Sequence, residues 1–200
     1  MLLIGISGKT GSGKNYVASL LEKRGFRSLD LDLVAHSVLD TLSDTIEQML
    51  GPGLLIDGKI NRKELGRLVF SDEKLLRDLE NITYPEIEKE TRKWLAEDPD
   101  VPAVIHAVNL YKTSLVKDCD AVIWLKASSF QRRRRVISRD KRPWKELKGR
   151  FRSQNGLNSK LFSQDAEIYS VRNSGNDASL KASLDRILRR LEGLGGKNER

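Results

Sequence analysis

The chain opens with a short apolar run, Leu2 to Ile6, that stops at Ser7 and passes straight into Gly8-Lys9-Thr10-Gly11-Ser12-Gly13-Lys14-Asn15. No other segment of the 200 residues constrains the fold as strongly. An apolar run of this length bounded by glycine reads as a buried strand. Beyond Lys14, the residues Tyr16, Val17, Leu20 and Leu21 recur at helical spacing, and Gly25 is placed to end the helix. Phe26 to Leu31 reads as a second strand. Strand, glycine loop, helix and strand in this order open a parallel βαβ unit with a right-handed crossover.

The glycines let successive backbone N–H groups turn inward around phosphate oxygens, and the following helix adds the positive end of its dipole. A lysine at position 14 can reach β- and γ-phosphates and follow charge as it develops during transfer. Gly8 to Lys14 is thus the G-x-x-x-x-G-K pattern of a P-loop. The candidate nucleotide-binding residues are Gly8, Thr10, Gly11, Ser12, Gly13, Lys14 and Asn15. The pattern normally continues with Ser or Thr, whose hydroxyl ligates Mg²⁺, and Asn15 stands there instead. An amide carbonyl is a neutral oxygen donor acceptable to a hard cation, so Asn15 is a candidate metal ligand with altered geometry.

Phosphoryl transfer also needs a group that orients the acceptor hydroxyl and takes its proton. Asp30 and Asp32 fall at the carboxyl end of the second strand, the edge where open α/β sheets bind ligands. Asp32 is the candidate base, and Asp30 a candidate for organising metal or water. In the competing reading, one of them N-caps a helix beginning near Leu33.

Residues from about 33 to 98 read as mainly helical. Asn61 followed by Glu64 forms a capping-box signature for a helix through Phe70. Ser71 and Asp72 start a longer pattern carrying Leu75, Leu76, Leu79 and Ile82, which Pro85 is expected to kink or break. Ala103 to Val108 and Ala121 to Leu125 read as two further strands, and Leu180, Leu184, Ile187, Leu188 and Leu191 as the stripe of a closing helix. The alternation predicts a three-layer α/β fold, a parallel sheet covered on both faces. The expected organisation is a core at about 1–32 and 99–192, a helical acceptor lobe at about 33–98, and a disordered tail at 193–200.

The net charge of +8 favours a polyanionic partner. Much of it crowds one stretch, including Arg132 to Arg135, Arg139, Lys141, Arg142, Arg150 and Arg152. This stretch is either a solvated helix face or a basic lid over a donor site, at about 130–165, with Gly149 and Gly156 as hinges. No helix-turn-helix, RNP-type aromatic pattern or zinc spacing points to nucleic acid. No apolar run is long enough to span a bilayer, and the lone Cys119 cannot form an internal disulfide. These features predict a cytoplasmic protein with no membrane partner, a monomer or weak homo-oligomer. His106 reads as a core histidine within the third strand. His36, one helical turn beyond Asp32, is a candidate to face the acceptor.

Taken together, these residues resemble the dephospho-CoA kinase family over roughly residues 1 to 190. The resemblance rests on the P-loop, Asp30-Leu31-Asp32 with Ala35-His36, Asp57-Gly58-Lys59-Ile60-Asn61-Arg62, and Arg135 with Arg139-Asp140. Arg152 to Gln154 and the late Asn173-Ser174-Gly175 loop also match. The resemblance implies ATP-dependent phosphorylation of the ribose 3′-hydroxyl of dephospho-CoA, with Mg²⁺. It implies Lys14 as the phosphate lysine and Asp32 as the catalytic aspartate. It further implies Arg135 and Arg139 as lid arginines on the phosphates, and Asn173 and Gly175 beside the nucleotide base. The chain departs from the family pattern at Asn15, at Tyr84-Pro85 where His-Pro is usual, and at Val108 to Lys112. Tyr84 and Lys112 are candidate substrate contacts or simple surface and packing residues. Two other readings remain open on sequence alone: a kinase for another small acceptor, and a nucleotide-binding regulator without catalysis.

Overall fold

The computed structural model describes residues 1–162 and 164–195. The chain divides into two compact units, Asp30–Asp98 and the remainder. Strand β1 (Leu3–Ser7) leads through the glycine loop to α1 (Lys14–Glu22), and then to β2 (Arg27–Asp30). Every residue of β1 is buried, which is why the run is continuously apolar instead of alternating. Helix α1 ends as expected before Gly25, whose left-handed backbone (φ 88°) turns the chain so that Phe26 N–H donates to Leu21 O.

The second unit begins with α2 (Leu31–Thr41), two residues earlier than the sequence pattern placed it. The reason is local: the Asp30 carboxylate accepts from Asp32 N–H at 3.0 Å and caps the helix. The strand accordingly ends at Asp30, and Asp32 lies in the first helical turn. After α3 (Ser43–Leu50) comes a hairpin of β3 (Leu55–Ile56) and β4 (Lys59–Ile60), which the helical reading of this lobe did not contain. Asp57 (φ 50°) and Gly58 (φ 74°) both have positive φ, the two-residue turn that Asp-Gly favours. Helix α4 (Arg62–Val69) starts where Asn61 accepts from Glu64 N–H, and α5 (Glu73–Glu97) starts at the Asp72 cap. Contrary to expectation, α5 runs through Pro85. Pro85 and Asn81 are both exposed, so water can satisfy the carbonyl left without its N–H partner. Ile46, Leu54, Leu65, Val69 and Leu79 form this unit's own apolar core.

The first unit resumes with β5 (Ala103–His106) and β6 (Ala121–Lys126), separated by short 3₁₀ turns at Leu110–Lys112 and Ser114–Asp118. Helices α6 (Ser129–Asp140) and α7 (Trp144–Arg152), strand β7 (Ile168–Arg172) and α8 (Asp177–Gly195) complete it. The strand order is β2-β5-β1-β6-β7, and β5, β1, β6 and β7 run parallel. Strand β7 was not read from the sequence. The residues Ile4, Ile6, Ile123 and Leu125 alternate onto one face and pack with Val17 and Leu21 of α1 and Leu180 and Leu184 of α8. The expected closing helix extends to Gly195, past the point where a frayed tail was expected, and residues 196–200 lie outside the described residues.

Gly149 sits inside α7, so it is not a hinge. Leu147 and Phe151 of that helix pack on Val136 of α6, and Trp144 meets Phe151 edge-on at 4.8 Å. The basic stretch therefore forms a helix pair with a small apolar core of its own.

Candidate active site

The loop between β1 and α1 is closed on itself and braced from three directions. Ser12 N–H donates to Lys9 O at 2.9 Å, and the buried Lys14 Nζ reaches back to Gly8 O at 3.2 Å. Gly11 (φ 80°) has no room for a side chain, since a Cβ would lie 2.6 Å from Arg132 O and 2.9 Å from Val136 Cγ2. Helix α6 therefore seats directly against the loop. The buried Ser12 hydroxyl makes no hydrogen bond among the described residues, a polar group left for a phosphate oxygen inside the cradle.

Arg135 and Asn173 hold the loop from one side. Arg135 Nη1 donates to Gly11 O and Ser12 O, each at 3.3 Å, and Asn173 Nδ2 donates to Ser12 O at 2.9 Å. The N–H and C=O of one peptide point in opposite directions, so fixing Ser12 O aims Gly13 N–H the other way. On the opposite side Gln154 forms a reciprocal pair with Thr10, accepting from its N–H at 2.7 Å and donating to its hydroxyl at 2.8 Å. Lys9 Nζ donates to Asn155 O at 3.1 Å. Gly175 (φ 92°) lies in the turn after β7, where Gln131 of α6 donates to Ser174 O.

The sequence-derived residues thus separate into groups. Gly8, Thr10, Gly11, Ser12, Gly13, Lys14, Arg135 and Asn173 meet at the cradle. Asn15 is exposed in the first turn of α1. Arg139 is not drawn to the cradle: its side chain is 61% exposed and pairs with neighbouring Asp140 at 2.7 Å. That pairing holds the Asp140 carboxyl below the usual carboxylate range. Lys112 is exposed on the 3₁₀ turn after β5. In the other unit, Asp32 and His36 are exposed one helical turn apart on α2, and Tyr84 is half-buried on α5. Asp30 Oδ1 is engaged by the helix cap. Among the described residues, no three His, Cys, Asp or Glu side chains converge to hold a metal by themselves.

Sequence reasoning did not place Gln154 against the loop, and it did not single out Arg132, whose backbone lies against Gly11. Gln154 carried a signal only through the resemblance, because its partner lies 144 positions away. Arg132 was one cation in a run, although it occupies an inward position of α6 together with Val136.

A parallel sheet in this strand order, with a lysine-bearing loop at its central strand and a basic helix against it, defines a P-loop kinase of small molecules. Comparison with known proteins narrows the class. The family model for dephospho-CoA kinase matches residues 2–178. The chain is 33% identical over 205 residues to the dephospho-CoA kinase of Treponema pallidum, covering 96% of this chain and 97% of the relative. It is 33% identical over 194 residues to that of Treponema denticola, covering 92% and 87%. A solved structure from Thermus thermophilus superposes with a TM-score of 0.80 at 27% identity, covering 95% of this chain and 97% of that one. The chain belongs to the dephospho-CoA kinase family, enzymes that use ATP to phosphorylate dephospho-CoA in the final step of coenzyme A synthesis. Within the described residues no helix is long and apolar enough to cross a membrane.

Proposed function

We propose that the chain transfers the γ-phosphoryl group of ATP to the ribose 3′-hydroxyl of dephospho-CoA, with Lys14 and Asp32 as its catalytic pair. The observation that carries the donor half is the position of Lys14 Nζ, buried in the loop beside Gly8 O with a cationic Arg135 behind it. From there its ammonium follows the γ-phosphoryl as negative charge spreads over the transferring oxygens. Asp32 orients the acceptor hydroxyl and takes its proton as the new P–O bond forms. Asn173 and Gly175 flank the nucleotide base. His36, Tyr84 and Lys112 serve the acceptor, and Arg139 exchanges its Asp140 partner for phosphate when both substrates are bound.

Mg²⁺ fits the donor set through the exposed amide oxygen of Asn15, because this ion keeps most of its shell as water and substrate phosphate and asks for few protein ligands. When bound it neutralises charge on the β- and γ-phosphates. Asp30, whose carboxylate caps α2, helps to organise the surrounding water. In this reading the protein works in the cytoplasm as a monomer or weak homo-oligomer.

The deciding experiment is ADP release from purified protein with Mg·ATP, dephospho-CoA present or absent, and coenzyme A confirmed by mass. Release that depends on dephospho-CoA is expected. Demonstrable ATP binding with no release dependent on dephospho-CoA would instead mark a kinase for another acceptor or a nucleotide-binding regulator.

A further inference from the structure

Beside the cradle lies a cavity of about 500 Å³ whose lining includes none of the residues given a role in the proposed reaction. Lys9, Lys126, Arg132 and Lys160 line it, and none of the lining residues is acidic. Of the P-loop residues only Lys9 reaches it, so it is not the cradle itself. Its walls include Trp124 and Leu157, which are buried, and its size is that of a small-ligand site.

Arg132 is the distinguishing feature. Its neighbours Arg133, Arg134 and Arg139 are exposed, but Arg132 is 7% exposed and sits where the helical period calls for an apolar side chain. Its guanidinium stacks 4.8 Å from the Phe151 ring centroid, which takes care of one face. Its Nη1 is buried and has no hydrogen-bond partner among the described residues. A buried, permanently charged donor without an acceptor is costly to keep unless a ligand supplies the acceptor. Lys9 feels the same deficit of negative charge: burial first, and then the like charge of Arg132, hold its ammonium below the ordinary lysine value. A planar guanidinium fork among three ammonium groups matches a doubly charged group with several oxygens better than it matches a single carboxylate.

We propose that this cavity is a second phosphate site, separate from the P-loop, that takes a phosphoryl group on Arg132 with Lys9, Lys126 and Lys160 around it. The phosphoryl group belongs either to a substrate, through the diphosphate of the acceptor, or to free inorganic phosphate. The first source rests on the proposed reaction, and the second does not.

The test titrates inorganic phosphate into the intact protein by calorimetry, with and without a non-hydrolysable ATP analogue. One saturable equivalent that persists in the presence of the analogue is expected. Its Kd should rise at least tenfold in Arg132→Met. It should rise similarly in the surface double variant Lys126→Ala/Lys160→Ala, which keeps the test intact should Arg132→Met fail to fold. A KM for dephospho-CoA raised in the double variant, with the KM for ATP unchanged, assigns the phosphoryl group to the acceptor. Lost phosphate binding with an unchanged KM assigns it to free phosphate. Absence of a saturable equivalent, its displacement by the analogue, or equal binding in both variants would overturn the site.

Discussion

Arg135 and Asn173 clasp each other beside the P-loop: Arg135 Nη2 donates to Asn173 Oδ1 at 3.0 Å while Asn173 Nδ2 donates to Ser12 O at 2.9 Å. Two residues 38 positions apart thereby set the orientation of one loop peptide. The arrangement couples the strand that ends at Arg172, the helix that carries Arg135, and the phosphate cradle.

Removing the clasp should loosen the loop without touching Lys14. Asn173 is 5% exposed, so Asn173→Ala leaves Ser12 O short of one donor and removes one acceptor from Arg135 Nη2. A stability loss of roughly 1–3 kcal/mol is expected. The KM for ATP should rise more than kcat falls. Chemical denaturation and initial-rate kinetics check both, and an unchanged KM would show that the loop holds its shape alone.

Gly11 should tolerate no side chain. The left-handed backbone costs alanine roughly 1–2 kcal/mol. The Cβ contact with Arg132 O at 2.6 Å adds to that cost, because Arg132 O is backbone atoms of a packed helix. Gly11→Ala should lower Tm by about 4 °C or more. It should also weaken ATP binding. A variant that melts with the wild type would mean that α6 yields easily.

The two proposed catalytic residues should fail in different ways. Lys14→Ala removes charge from the donor site and should lower kcat on the order of 10²-fold or more. Asp32→Asn keeps shape and hydrogen bonding but not basicity. It should lower kcat on the order of 10²-fold or more with the KM for ATP nearly unchanged. Near-normal turnover of Asp32→Asn would remove it as the base.

Alkaline pH should destabilise the protein partly through Cys119. Burial pushes this thiol up to about 12 from 9.0, with Asp118 and Asp120 adding to the shift. The unfolded thiol loses its proton near 9 and the folded one does not, so its contribution is complete below about 9 and lost as pH rises from there toward 12. The stability gap between wild type and Cys119→Ala should therefore narrow between pH 8 and pH 10.5, by about 2 kcal/mol. Denaturant unfolding at the two pH values measures it. A gap that stays constant would place the folded thiol near its ordinary value.

The sequence by itself determined the βαβ opening, the cradle, the start of α4 and the apolar stripes of α1, α5 and α8, because each is a pattern within a few residues of chain. The positive φ at glycines 8, 11 and 13, the lysine at 14 and the caps at Asn61 and Asp72 are legible in the local pattern, although the room at each of those glycines is limited by distant residues. The family followed from motifs of the same kind. Tertiary structure decided the rest. Strand β7 is short and half-exposed, and its pairing with β6 supplies the hydrogen bonds that make it a strand. The brace of Gln154 on Thr10 joins segments 144 residues apart. The basic run illustrates the division best. Composition could not tell one arginine from another, whereas packing buries Arg132, ties Arg135 to the loop, and leaves Arg139 outside on Asp140. The physical reason is that a charge takes its role from its desolvation and its partners, and both are fixed only when distant elements close around it.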